Sequence, residues 1–132
     1  MAQRRDFQTV SETADLDTLQ NAIVNFAHER GWEQFHDAKN LCMALASEVG
    51  ELNAVLRWVR NDKVDEIVTD PRIQTALRQE IGDVAILLML LCARTGICFD
   101  EAVLEKLQLN ARKYPVHDSR GSPDAPNGQA DE

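Results

Sequence analysis

Two six-residue stretches hold the residues of this chain best suited to chemistry: Ser-Glu-Val-Gly-Glu-Leu at 47–52 and Gln-Glu-Ile-Gly-Asp-Val at 79–84. Both read polar, Glu, β-branched, Gly, acid, aliphatic, and both lie in apolar stretches with helical spacing. Residues on a helix step about 100° apart. On that wheel Glu48 falls inside an apolar arc of Leu41, Leu45, Leu52 and Val55, and Glu51 sits at its edge beside Ala44 and Trp58. Glu80 falls inside the arc of Ile73, Leu77, Val84, Leu87 and Leu91, with Asp83 again at the edge. Solvated charges would face away from such arcs. Four carboxylates gathered by two helices are costly to bury unless a cation neutralises them. Neither arc contains Lys or Arg, although Arg57, Arg78 and Arg94 are near enough to serve as outer partners.

A set of carboxylate oxygens suits a hard cation, Mg²⁺ or in its place Mn²⁺. A di-iron bundle would call for Glu-x-x-His pairs. Neither copy has that His, which disfavours redox chemistry. Gly50 and Gly82 each cost about 1 kcal/mol against Ala in a helix interior. A close helix crossing on that side would justify the cost.

The elements that must position these acids are helices. Leu16, Leu19, Ile23 and Phe26 predict a helix over 15–30, stopped by Gly31. Residues 32–36 form a ring-rich connector. Asp37 is a natural N-cap for a second helix reaching about Arg60. Residues 61–70 read as a charged loop. Asp70-Pro71 opens a third helix that ends at Thr95 before Gly96. Asp100 is expected to cap a fourth helix, which ends near Lys113 before Pro115. No strand pattern competes. The fold class is therefore all-α, a four-helix bundle-like single domain over 15–116. A polar segment, 1–14, precedes it and a disordered tail, 117–132, follows.

Bulk composition narrows the partners. The chain has 132 residues, about one domain, and is 44% hydrophobic with a net charge of −8. That charge argues against a nucleic-acid groove or an anionic membrane surface. It leaves room for an anionic small substrate reached through a divalent cation. Cys42, Cys92 and Cys98 are odd in number and unpaired in spacing, so buried free thiols are expected. The N-terminus has no apolar signal region, and the apolar run Val84 to Ala93 is too short to span a bilayer. A soluble, cytoplasmic protein is expected.

Further groups could meet a metal-bound ligand. Trp32 and His36 lie four apart and Trp58 stands beside Glu51, so their rings could stack on a base. Lys106, Asn110 and Lys113 share one face of the fourth helix, with Arg112 and Tyr114 adjacent. Such a stripe can hold phosphate oxygens.

Taken together, Trp-Glu-Gln-Phe-His (32–36), Asn40-Leu41, Glu-Val-Gly-Glu-Leu (48–52), Trp58, Gln-Glu-x-x-Asp-Val (79–84) and Asn-x-Arg-Lys-Tyr-Pro (110–115) form an ordered set. The chain resembles the MazG-like all-α nucleoside triphosphate pyrophosphohydrolases, and within them the dCTP pyrophosphatase branch. The resemblance covers about residues 16–116. It implies Mg²⁺-dependent hydrolysis of a nucleoside triphosphate, most of all dCTP or a 5-modified dCTP, to monophosphate and pyrophosphate. It implies that Glu48, Glu51, Glu80 and Asp83 hold the metal. It places Trp32, His36 and Trp58 around the base, with Lys39, Asn40, Asn110, Arg112, Lys113 and Tyr114 as further substrate contacts. Members are homodimers, or homotetramers built from dimers, with shared sites. Two positions depart from the branch: Leu87 stands where a Tyr packs under the deoxyribose, and Gln108 where an acid is expected.

On this reading a metal-polarised water attacks phosphorus while Glu48 or Glu51 positions it or takes its proton. Cationic groups of the fourth helix steady the leaving pyrophosphate. A dUTP or noncanonical-nucleotide hydrolase would use the same motifs. A non-catalytic nucleotide-binding helical module would bind without turnover.

Overall fold

The computed structural model describes residues 15–123, and the expected polar segment 1–14 lies outside them, as do residues 124–132 of the expected tail. Among the described residues there is no strand. The helices are α1 (Leu16–Glu29), α2 (Ala38–Leu56), α3 (Val64–Ile67), α4 (Pro71–Thr95), α5 (Phe99–Lys113) and α6 (Val116–Ser119), with a 3₁₀ turn at Trp32–Phe35 between α1 and α2. The chain divides into two compact units, residues 1–96 and 97–132.

Short-range chemistry sets the boundaries in the first unit. Asp15 accepts a hydrogen bond from the Thr18 N–H (2.8 Å), and Asp37 accepts one from the Asn40 N–H (2.8 Å). Asp70 caps α4 by accepting from the Arg72 N–H (2.8 Å), and Pro71 fills the first turn, where an N–H would lack a partner in any case. Gly31 (φ 65°) and Gly96 (φ 71°) follow α1 and α4 in the left-handed conformation, which only Gly adopts without strain. The second helix stops at Leu56 rather than near Arg60. The charged segment after it winds one short helix, α3, where a loop was expected.

α2 packs along α4, and α1 lies against α4. Leu41, Met89, Cys92, Ala22 and Ala27 are the buried apolar residues, and Leu41 is the most enclosed at 1% exposed. The Gln20 side-chain amide donates to the Met89 carbonyl (3.1 Å), tying α1 to the middle of α4. The arcs read from the wheel on α2 and α4 do face inward: Leu45, Leu52, Val55, Ile73, Leu77, Val84, Leu87 and Leu91 are all half-buried. On α1 the inward face turns on Ala22 and Ala27, while Leu16 and Leu19 are exposed. Small residues there let α1 sit close to its neighbour.

Two expectations are corrected. A Cβ added at Gly50 or Gly82 would meet nothing within 4 Å, so no close crossing among the described residues explains either glycine. Cys42 and Cys98 are exposed, and only Cys92 of the three thiols is buried. Cys42 shares α2 with the inward arc but points off it.

In the second unit α5 starts after Cys98 rather than Asp100, which lies in the first turn with Glu101. Carboxylates there complement the positive end of the helix dipole, and Arg112 and Lys113 complement the negative end. The Lys113 ammonium lies 5.5 Å from the centre of the Tyr114 ring. Residues 117–119, expected to belong to a disordered tail, form part of α6.

Candidate functional site

The half-buried arcs bring three of the four predicted acids together. Glu48 on α2 and Glu80 and Asp83 on α4 each offer a carboxylate oxygen, and these oxygens all lie within 4.8 Å of one another. Glu48 and Glu80 are half-buried and Asp83 is exposed. Glu51 is exposed and stands outside this group of three, although its charge still reaches Glu80. The wheel had put Glu48 and Glu80 inside their arcs and the other two acids at the edges, and the burial follows that order.

The electrostatics centre on Glu80. Its carboxyl is raised above the usual carboxylate range, first by burial, then by the charges of Glu48, Asp83 and Glu51, and by a hydrogen bond with Glu48 that favours the protonated form. Its Oε2 is withdrawn from solvent and has no hydrogen-bond partner. A withdrawn carboxylate oxygen without a donor is costly. No ion pair among the described residues answers it: Arg57 lies over the Trp58 ring instead (5.5 Å to the centroid), and no guanidinium pairs with any of the four acids. A divalent cation would supply the missing partner. The donor set, carboxylate oxygens alone, is the kind that hard cations take.

The connector before α2 is built around its rings. Trp32 meets Phe26 edge-on (5.8 Å between centroids) and His36 edge-on (6.3 Å). Trp32 is 43% exposed, so part of its ring remains open to a ligand. The Asn40 side chain donates to the Phe35 carbonyl (3.1 Å) and so braces this turn, while Lys39 is exposed. Trp58 is 86% exposed and follows the end of α2. Its ring contact is with Arg57 rather than with Trp32 or His36. Asn110, Lys113 and Tyr114 in the second unit are half-buried, and Arg112 is exposed.

One feature of the first unit escaped the sequence reading. A cleft of about 160 Å³ opens between α1, the 3₁₀ turn and the facing ends of α2 and α4. Its walls are mostly apolar, with Ala27, Leu41 and Leu90 among them, and Glu33, His36 and Arg94 bring polar groups to it. The Glu33 carboxylate is paired with His28 Nδ1. Arg94 makes no ion pair among the described residues. The signal available in sequence was the ring-rich connector, but nothing local joins Glu33 to Arg94. The cleft and the acids share the α2–α4 seam. Leu41 precedes Glu48 by seven residues and Leu90 follows Asp83 by seven, so the cleft lies about 10 Å along the helices from the acids.

Comparison with known proteins gives the family. Residues 56–124 match the profile of the MazG-like family. The chain is 40% identical over 126 residues to dCTP pyrophosphatase 1 of Bos taurus, covering 92% of this chain and 75% of that protein. It is 40% identical over 107 residues to dCTP pyrophosphatase 1 of Mus musculus, spanning 63% of the mouse protein's length. Among solved structures, a pyrophosphatase from Archaeoglobus fulgidus aligns with a TM-score of 0.72 at 34% identity, covering 80% of this chain and 96% of that one.

Proposed function

The chain belongs to the MazG-like family and is a nucleoside triphosphate pyrophosphohydrolase, and from that premise we propose that it hydrolyses dCTP or a 5-modified dCTP with Mg²⁺. The products are the nucleoside monophosphate and pyrophosphate, and the role is housecleaning of the nucleotide pool in the cytoplasm. The observation that carries the metal reading is Glu80 Oε2, withdrawn and unpartnered beside two further carboxylates. The relatives named above carry the substrate reading.

Glu48, Glu80 and Asp83 hold the cation, with Glu51 completing the acidic group. A bound Mg²⁺ would neutralise these acids and polarise the attacking water. The chain's own groups do the rest. Glu51, exposed beside the cluster, is the better placed of the two candidate bases to accept the water's proton, because Glu48 is occupied in the cluster itself. The water oxygen bonds to phosphorus, the bond to the leaving pyrophosphate breaks, and the proton passes to the carboxylate. Trp32 and His36 offer ring surfaces to the nucleoside, with Trp58, Lys39 and Asn40 as further contacts. Asn110, Arg112, Lys113 and Tyr114 steady phosphate charge in a homodimer or homotetramer with shared sites.

The test is pyrophosphate release with Mg²⁺ across the standard ribo- and deoxyribonucleoside triphosphates and 5-methyl-dCTP. Fastest release from dCTP or 5-methyl-dCTP is expected. Fastest release from dUTP would keep the metal site and move the substrate. Binding without any release, with either Mg²⁺ or Mn²⁺, would overturn the catalytic reading.

A further inference from the structure

We propose that His28 and Glu33 are positioning residues: their hydrogen bond holds the 3₁₀ turn so that the Trp32 ring stands ready for the nucleoside. The inference rests on the reading of Trp32 as a nucleoside contact and adds to it the pair that sets where the ring stands.

The turn that carries Trp32 is not oriented by the core. None of its four residues, Trp32–Phe35, is buried. The residue before it, Gly31, takes the left-handed conformation (φ 65°). The Gly31 N–H donates to the His28 carbonyl (3.0 Å) and closes the end of α1. A glycine joint is conformationally permissive, so the direction of the turn beyond it is left to side chains.

Side chains do hold the turn on both sides. From α2, Asn40 Nδ2 donates to the Phe35 carbonyl (3.1 Å). From α1, the Phe26 ring meets Trp32 edge-on (5.8 Å between centroids). Phe26 is itself covered by Arg30, whose guanidinium lies 3.5 Å from the ring centre and donates to the Phe26 carbonyl (3.0 Å). The bond between His28 Nδ1 and Glu33 then spans the glycine joint, from the last turn of α1 to the residue directly after Trp32. A carboxylate only accepts, so Nδ1 carries the hydrogen and donates it. An edge-on ring contact is satisfied over a range of separations, whereas a hydrogen bond weakens steeply as its angle departs from linear. The pair therefore supplies the direction that the ring contact lacks. Both partners are exposed, so their bond adds little to global stability. Its effect is local, on the ring next to it. A ring that meets substrate and transition state alike contributes uniform binding, whose loss raises KM and spares kcat.

The experiment compares steady-state kinetics of the wild type, His28→Leu, His28→Asn, Glu33→Met and Glu33→Gln, on the nucleotide that the wild type hydrolyses fastest. Asn can set an amide donor where Nδ1 stands, and Gln keeps an acceptor oxygen, so these two variants should stay close to wild type. His28→Leu and Glu33→Met should raise KM about twofold to fivefold, the scale of one exposed pair, with kcat and Tm near wild type. In Trp32→Leu protein the His28→Leu change should raise KM no further. The chain has two tryptophans, so Trp32 emission is read alone in Trp58→Phe protein. It should shift to the red in His28→Leu and not in His28→Asn. Wild-type KM and emission in both His28→Leu and Glu33→Met, beside a raised KM in Trp32→Leu, would overturn the positioning role alone. An unchanged KM in Trp32→Leu would overturn the reading of Trp32 at the nucleoside and this inference with it.

Discussion

Glu48 and Glu80 face one another across the α2–α4 seam with carboxylate oxygens within 4.8 Å, and Glu80 Oε2 has no hydrogen-bond partner. Two like charges at this separation repel, and burial makes the repulsion harder to screen. Burial and these charges push the Glu80 carboxyl above its ordinary value, and a hydrogen bond with Glu48 adds to the shift. A proton and a divalent cation therefore compete for one place.

That competition has a sign. A carboxyl raised in the folded state keeps its proton after the unfolded chain has lost its own. As pH climbs from the ordinary value of 4.5 through the raised value, the metal-free protein loses stability. Binding of Mg²⁺ to the folded state alone offsets the loss. The rise in Tm on adding Mg²⁺ should be larger at about pH 8 than at about pH 5. Thermal scans at both pH values, with and without Mg²⁺, check this. An Mg²⁺ effect that is equal or greater at the acidic pH would sink the assignment.

Position within the group of acids separates holding the metal from moving the proton. Glu80→Gln and Glu48→Gln should remove the Mg²⁺-dependent rise in Tm and cut turnover to about one-hundredth or less. Glu80→Gln should also stabilise the metal-free protein above the raised titration, because it deletes a repelled charge without changing shape. Glu51→Gln should behave differently, with a comparable loss in kcat but Mg²⁺ binding much closer to wild type. Calorimetric titration of Mg²⁺ beside steady-state kinetics makes the comparison. Equal loss of metal affinity in all three variants would place Glu51 among the ligands and overturn its assignment as the base.

The helices and the acids were legible because both follow from local rules. Asp37 and the Asp70-Pro71 pair announced two helix starts, Gly31 and Gly96 announced two stops, and the 100° wheel separated Glu48 and Glu80 from their edge partners. What stayed hidden is long-range. Leu16 and Leu19 have the right spacing for an inward face, yet Ala22 and Ala27 take it, since the closeness of α1 to its neighbour is a matter of packing between elements. Asp100 and Cys98 differ by two residues as caps, a distance that propensity does not resolve. Glu33 and Arg94 line one cleft although 61 positions apart, and no local pattern encodes that.

Gly50 and Gly82 lie in helix interiors with open space where a side chain would stand. Nothing among the described residues requires them. Gly82→Ala should therefore stabilise the isolated chain by about 1 kcal/mol through the helix propensity alone, a rise of a few degrees in Tm at about this size. Thermal scans paired with light scattering test it. A fall in Tm accompanied by a fall in particle mass would mean that the backbone of a second copy passes close to this glycine in the assembly.

Leu87 offers a test of sugar selection. It is half-buried on α4, one turn beyond Asp83 on the same helix face, within reach of a sugar whose phosphates are held at the acids. Leu fills less space there than a Tyr would and brings no hydroxyl. The wild type should therefore tolerate a ribose 2′-OH, hydrolysing CTP at a rate within about tenfold of dCTP, because an apolar wall rejects an added hydroxyl only weakly. Leu87→Tyr narrows the space under the sugar. It should lower kcat/KM for CTP by about tenfold or more relative to dCTP, with Mg²⁺ binding unchanged because no carboxylate has moved. If the CTP to dCTP ratio is the same in both proteins, the sugar does not pass over position 87.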